Sequence, residues 1–415
     1  MSVENSNVEK ICKEARKAGL KAMSLTKEQR SSILNSMAKA LADSKEDIIT
    51  ENKKDLANAT KLSSAMLDRL TLTDARFDSM VSGLKSLASF EDKLGQEMEA
   101  WDRPNGLKIS KVRVPIGVVG IIYESRPNVT ADAAGLCIKT SNAVVLRGGK
   151  ESIHSNRAIV KALVKGGEEA GMPKGMLGFI DSTSRDTVRE LVEQEDSVDL
   201  VIPRGGEGLI RAVTDMSKVP VLKHYKGVCH IYVDKSADLE KAEKIAINAK
   251  CQRPGVCNAM ETLIIHKDLK DSFLPQVISK LKENKVEVRG DESVRAVDSD
   301  VKEVNDWGDE YLDLILSIKV VSDINEAIEH VNMYGSNHTD AIISEDKEAL
   351  NIFQQNVDTG VIMLNASTRF NDGAEFGLGA EIGISTDKLH ARGPVGADGL
   401  TSYKYVVTGD GQIRG

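Results

Sequence analysis

The chain has 415 residues, 41% hydrophobic and 28% charged, a composition that excludes a disordered or fibrous protein and leaves room for two or three domains at roughly 150 residues each. Its 55 lysines and arginines are dispersed and outnumbered by 63 acids, for a net charge of −8, which argues against nucleic acid as a partner while leaving single arginines for a small anion. The opening MSVENSNVEKICKEARKAG has no uncharged apolar run, and no later segment approaches about 18 apolar residues without a charge, so neither signal peptide nor membrane span is expected and the expected location is the cytoplasm.

Residues 8–89 read as helices. Thr26-Lys27-Glu28-Gln29 is a capping box, with Ile33, Met37, Leu41 and Ile48 on one helical face behind it. Near Gln96 the period changes to two. Met98 and Ala100, then Leu107, Ile109, Val112 and Val114, flank Arg103-Pro104-Asn105-Gly106, whose Asn-Gly predicts a hairpin turn. This hairpin and a strand-like tail at 402–407 stand outside the other patterns. In one chain they are expected to leave unpaired backbone edges, which a second copy would satisfy.

Beyond Pro115, apolar runs at 117–123, 143–146, 177–180 and 198–202 alternate with helical stretches such as 155–170, the rhythm of a parallel sheet covered by helices. Ligands of such sheets bind beyond the carboxyl ends of the strands, where ESRPN (124–128), RGGK (147–150) and PRGGEG (203–208) fall. The RGGK loop offers backbone N–H groups and two cations to a phosphate, and reads equally as a sharp strand-to-helix turn. Neither glycine loop matches GxGxxG or GxxxxGK[ST], which excludes a strict Rossmann fingerprint and a Walker A loop. Asn128 is a candidate oxyanion donor, although an asparagine after proline is more often a turn residue.

A second alternating unit spans 229–344. Within it 236–250 reads as an amphipathic helix and Met260–His266 as a buried strand; between them lie Arg253, Pro254, Gly255 and Cys257. A thiol on a short restricted loop beside an arginine is where a nucleophile would sit, because a nearby cation favours the thiolate. The loop by itself fits a small buried hydrophobe as well. The five cysteines, Cys12, Cys137, Cys229, Cys251 and Cys257, are odd in number and scattered, so neither disulfides nor a metal site is expected. After 350 come a helix, the run 360–364, the loop NASTRFNDG and a glycine-rich path, EFGLGAEIGIS.

The segments VRVPIGVVGIIYESRPNVT, VVLRGGKES, LVIPRGGEGLI, NAKCQRPGVCNAMETL, EYLDLILSIKVV, NASTRF and FGLGAEIGISTDKLHARGPVG, in this order, resemble the aldehyde dehydrogenase superfamily, and within it the branch that reduces glutamyl phosphate. The resemblance runs from the first helix to about Val407. It implies an α/β fold of two parallel-sheet domains plus a β-hairpin oligomerisation element. The cofactor-binding domain would comprise 1–96 and 115–228, the catalytic domain 229–365, and the oligomerisation hairpin and tail 97–114 and 385–415.

The resemblance further implies Cys257 as nucleophile, with Asn128 and the Cys257 backbone N–H as oxyanion donors. It puts Arg147 at the adenosine ribose, Gly205 and Gly206 in the loop over the pyrophosphate and Glu310 at the nicotinamide ribose, with Gly148 also among the cofactor-binding residues. Lys150 stands where NAD-preferring relatives often carry an acid, which favours NADPH/NADP. Arg126, Arg253 and Arg369 are candidates for the substrate's phosphate or carboxylate. Residues 218–233 lack Asp and Glu, whereas oxidising relatives carry a general-base glutamate there; the loss fits a thioester that meets phosphate rather than water. The implied reaction is reduction of L-glutamyl 5-phosphate to L-glutamate 5-semialdehyde, the second step of proline biosynthesis from glutamate. The implied partners are this small molecule, further copies in a homodimer or homotetramer, and transiently glutamate 5-kinase, with no nucleic acid or membrane.

Overall fold

Five helices open the chain: α1 (Asn5–Ala22), α2 (Lys27–Asp43), α3 (Lys45–Asn58), α4 (Ser64–Leu70) and α5 (Asp74–Ser89). The structure is a computed structural model that describes residues 5–60, 62–91 and 93–414. The capping box forms as expected: Gln29 N–H donates to Thr26 Oγ1 at 3.3 Å and Thr26 N–H to Gln29 Oε1 at 2.8 Å. Ile33, Met37 and Leu41 are buried on α2, but Ile48 lies on α3, because the chain leaves helical geometry at Ser44. Strands β1 (Glu97–Asp102) and β2 (Lys108–Pro115) form the expected hairpin, with Gly106 at φ +88, a conformation that glycine adopts without strain.

The next stretch builds a parallel sheet from β3 (Val118–Tyr123), β4 (Ala143–Gly148), β5 (Leu177–Phe179) and β6 (Leu200–Arg204), in the order β5-β4-β3-β6. Helices α6 (Asn128–Lys139), α7 (Ile153–Glu169), α8 (Asp186–Val192) and α9 (Glu207–Met216) alternate with these strands. Val118, Val119, Ile121, Val144 and Val145 are fully buried, as continuous apolar strands covered on both faces must be. From β3 the chain adds strands first on one side and then on the other, so a crevice opens past the carboxyl ends of β3 and β6.

Further on, β7 (Cys229–Val233), β8 (Met260–His266), β9 (Glu287–Gly290), β10 (Lys302–Glu303), β11 (Ile315–Val321), β12 (Thr339–Ile343) and β13 (Val361–Leu364) form a seven-stranded parallel sheet, β10-β9-β11-β8-β7-β12-β13. Helices α10 (Leu239–Cys251), α11 (Leu274–Glu283), α12 (Glu292–Arg295), α13 (Ile324–Tyr334) and α14 (Lys347–Asn356) connect its strands. α10 starts later than its apolar pattern suggests because Asp238 caps it, accepting from the Glu240 and Lys241 N–H groups. Ile231, Val233, Leu263 and Ile265 join one core with Ala242, Ala246 and Phe273, while Tyr232, Ile264 and Ile342 join another with Val331 and Phe353. Alternate residues of one strand thus feed opposite faces.

The chain closes through β14 (Ile384–Ser385), β15 (Gly393–Pro394) and β16 (Thr401–Thr408). β16 runs antiparallel to β2 along its whole length, from Thr401 opposite Pro115 to Thr408 opposite Lys108, in a sheet ordered β1-β2-β16. This corrects the expectation that one chain leaves both hairpin and tail unpaired. The tail satisfies the second edge of β2, and the edges of this three-stranded sheet are the outer sides of β1 and β16. The chain divides into two units, one of residues up to 223 with 377–383 and 395 onward, the other of 224–376 and 384–394. No described helix is long and apolar enough to cross a membrane.

Candidate active site

In the first unit a cavity of about 360 Å³ lies past the carboxyl ends of β3 and β4, lined by Tyr123, Glu124, Arg147, Gly149, Lys150, Thr183, Arg185 and Gly208 among others. Arg147 is the penultimate residue of β4 and is 7% exposed. Its guanidinium donates to the carbonyls of Gly148 at 2.9 Å and Ser184 at 2.8 Å, and burial lowers its pKa. Lys150 is exposed at the mouth of the following turn. The Gly206 N–H donates to Glu124 Oε2 at 2.9 Å, and a Cβ on Gly205 would come within 2.4 Å of the same oxygen. The glycine loop at the start of α9 therefore holds a carboxylate, the kind of group that a helix N-terminus favours and that a phosphate resembles. The sequence placed the ESRPN loop here, but the contact of Glu124 with Gly206 was not legible, because the two stand on different loops.

Asn128 is the first residue of α6 rather than part of a loop, and its amide donates to Asp132 Oδ2 at 3.1 Å. Burial pushes Asp132 up to about 6, and the Asn128 hydrogen bond holds it back. Half-buried Arg126 stands two residues before Asn128. Ser125 precedes it with φ +23 and a buried hydroxyl that lacks a hydrogen-bond partner. A non-glycine residue in that backbone region with an unsatisfied oxygen is the kind of strain that gathers at functional sites, and composition alone carries no signal for it.

In the second unit the Cys257 loop runs from the end of α10 to the start of β8. Lys250 and Glu261, both fully buried, clamp the two ends through an ion pair of 2.6 Å. Burial pushes Glu261 up to about 7 and Lys250 down, their mutual attraction opposing both shifts. Gly227, just before β7, lies so close that a Cβ there would fall 1.9 Å from the Cys257 carbonyl oxygen, so only glycine fits. The Gly227 N–H donates to Glu310 Oε1 at 2.8 Å. Arg369 donates to Gln252 Oε1 at 2.8 Å and to Asn258 Oδ1; burial and then Arg253 lower its pKa, while Asp372 and Cys257 draw it up.

Cys257 is half-buried, and one side-chain atom each from His224, Cys257 and His338 lie within 4.8 Å of one another. Burial pushes the Cys12 thiol up to about 12 and raises Cys137, Cys229 and Cys251 as well, which leaves these four poor nucleophiles. No disulfide joins any of the five cysteines. The second unit thus gathers Cys257, Arg369 and Arg253 around one loop, with Glu310 at the neighbouring Gly227. The first gathers Arg147, Gly148, Lys150, Gly205 and Gly206 near its carboxyl-end crevice, with Asn128 and Arg126 at the end of β3. A thiol between imidazoles and guanidinium groups is equipped to attack an electrophilic carbon.

Residues 1–301 match the model of the Aldehyde dehydrogenase family. A gamma-glutamyl phosphate reductase of Geobacter metallireducens is 51% identical over 408 residues, covering 97% of this chain and 98% of that protein. The chain belongs to the gamma-glutamyl phosphate reductases of the aldehyde dehydrogenase family. The crystal structure of gamma-glutamyl phosphate reductase from Thermotoga maritima superposes with a TM-score of 0.96 at 42% identity, over 99% of this chain and 100% of that one. An acetylating aldehyde dehydrogenase from Geobacillus thermoglucosidasius, 18% identical, shares the fold with a TM-score of 0.70 over 99% of this chain and 98% of that one. The expected α/β fold with two parallel sheets and the expected oxidoreductase class are thereby borne out, in a family that uses a nicotinamide cofactor.

Proposed function

We propose that the chain reduces L-glutamyl 5-phosphate to L-glutamate 5-semialdehyde with NADPH and releases phosphate, in the second step of proline biosynthesis from glutamate. The observation that carries this reading is the 51% identity over nearly the whole chain to a reductase of that name. The Cys257 thiolate attacks the acyl carbon, and phosphate departs to leave a thioester. Asn128 and the Cys257 backbone N–H donate to the oxyanion. Bound nicotinamide supplies the hydride that converts the thioester to the aldehyde. Arg126, Arg253 and Arg369 orient the substrate's phosphate and carboxylate, to which a guanidinium fork is suited. Arg147, Gly148, Gly205, Gly206 and Glu310 hold the cofactor. Lys150 and Arg185, which line one cavity with Arg147, supply the positive charge that a 2′-phosphate needs.

The reverse direction tests this: semialdehyde, NADP⁺ and phosphate, with phosphate omitted as control. Turnover should require phosphate, and Cys257→Ser should lower it more than about a hundredfold, or about 2.7 kcal/mol, with NADP⁺ binding changed only a few-fold. Oxidation that proceeds equally without phosphate would point to a hydrolytic aldehyde dehydrogenase instead.

The same reading includes a homo-oligomer in which the open edges of β1 and β16 pair with a second copy. Deleting residues 401–415 should give monomers or aggregates without activity, whereas deleting 409–415 should change little. An active monomer of the full chain at micromolar concentration, seen by light scattering, would end the idea.

A further inference from the structure

We propose that His224 is the base that takes the proton of the Cys257 thiol, with the Ile384 carbonyl fixing its tautomer; this rests on Cys257 being the nucleophile of the reaction above. Residues 218–233 hold no carboxylate, yet they hold His224, and the structure brings this ring to Cys257 and His338. His224 Nδ1 lies 2.8 Å from the Ile384 carbonyl oxygen. A carbonyl can only accept, so Nδ1 carries the ring proton and Nε2 carries the lone pair. Nucleophile, base and orienting group then follow one another as in other activated nucleophiles. The ligand atoms of the three residues lie within 4.8 Å of one another, and a base and thiol at such range draw together when substrate binds.

His338 is the other imidazole within reach, and its surroundings exclude it from this role. It is fully buried, and burial together with His224 pushes its pKa down to about 3, so it stays neutral. Its ring meets that of His224 edge-on, 5.3 Å between centroids at 69°, and its Nδ1 lies 2.8 Å from Thr339 Oγ1. It holds the His224 ring in place without competing for the proton.

The charged and titratable groups around the pair come from several elements. Arg369 follows β13 and is attracted to a negative charge on Cys257, and Arg253 shares the Cys257 loop. Cys229 on β7, whose Sγ donates to the Cys257 carbonyl at 3.2 Å, is kept a thiol by burial. Asp340, Glu261 and Glu310 act on Cys229 in the same direction as burial.

The proton balance is closed by one residue. The S–H proton moves to His224 Nε2 as sulfur bonds the acyl carbon, and it passes to the phosphate oxygen as the C–O bond breaks. After hydride has reached the thioester carbon, the oxyanion reforms C=O and the C–S bond breaks, and the thiolate regains a solvent proton through the same nitrogen.

The test is the pH profile of Cys257 alkylation by iodoacetamide, with Cys257→Ser as the blank. It needs no substrate, so it fails or succeeds independently of the assay for semialdehyde turnover. His224→Asn keeps a donor near the Ile384 carbonyl and removes only the far nitrogen. It should slow alkylation at pH 7 at least tenfold and move the profile toward an ordinary thiol, near about 8.5. Added imidazole should restore part of the rate in His224→Ala. The proposal is overturned if the Asn profile superposes on the native one. It is equally overturned if both variants, folded by circular dichroism, lose reactivity at every pH and imidazole restores none.

Discussion

In the four-stranded sheet the candidate cofactor residues stand past the carboxyl ends of β3, β4 and β6. In the seven-stranded sheet Gly227, Cys257 and His338 precede β7, β8 and β12 and so stand at the amino ends. The first arrangement places helix N-termini at the site, so backbone N–H groups such as that of Gly206 meet an anion directly. The second opens from the C-terminus of α10, where the helix dipole disfavours negative charge. A thiolate there must be supported by side chains, which is the setting of Arg369, Arg253 and the two histidines. Helix N-terminal backbone thus adds to the arginines and lysine of the first site, whereas the second, among the described residues, has no helix N-terminus behind its thiol.

Glycine substitutions probe this difference most strongly. Gly227→Ala puts a Cβ into the Cys257 backbone, which has nowhere to go; turnover should fall at least about a hundredfold and the melting temperature should drop. Gly205→Ala meets only side-chain atoms of Glu124 and Leu209, which can rotate away, and its loss should stay within about threefold. Steady-state rates and thermal melts of both variants check this, and equal losses would break the contrast.

Acid should affect the two units differently. In the second unit His330 and His338 are held neutral by burial, with pKa values of about 3. The unfolded chain takes up their protons first as pH falls below about 6.5. Stability that is complete above that pH is then lost toward pH 3, roughly 3 kcal/mol for each histidine by pH 4. Glu261, raised to about 7, and Asp132 of the first unit, raised to about 6, act in the opposite sense: their contribution is complete at low pH and is lost as pH rises through those values. Glu261 offsets part of the loss in the second unit. Hydrogen exchange between pH 6.5 and 4 should therefore show protection failing first in residues 224–376, and earlier failure in residues 5–223 would reverse the assignment.

The smallest effect concerns cofactor choice. Lys150→Glu should lower the ratio of kcat/KM with NADPH to that with NADH by about tenfold, or about 1.4 kcal/mol. An unchanged ratio would move the 2′-phosphate contact to Arg147 or Arg185.

The sequence by itself determined what depends on neighbours along the chain. The capping box at Thr26, the Asn-Gly hairpin, strand Met260–His266 and the Cys257 loop each rest on residues within a turn or two of one another, so their patterns survive without the fold. The short α12 and β10 carried too few residues to show a period. Only the tertiary structure decided that β16 pairs with β2, that Glu124 closes on Gly206, that Glu310 takes the Gly227 N–H and that His224 and His338 meet Cys257. A search of residues 218–233 for carboxylates passes over His224, because an imidazole has the meaning of a base only once a thiol from a different strand connection is placed against it. Those partners are far apart in the chain, and their meeting follows from strand order and from close approaches such as that at Gly227, which no local pattern encodes.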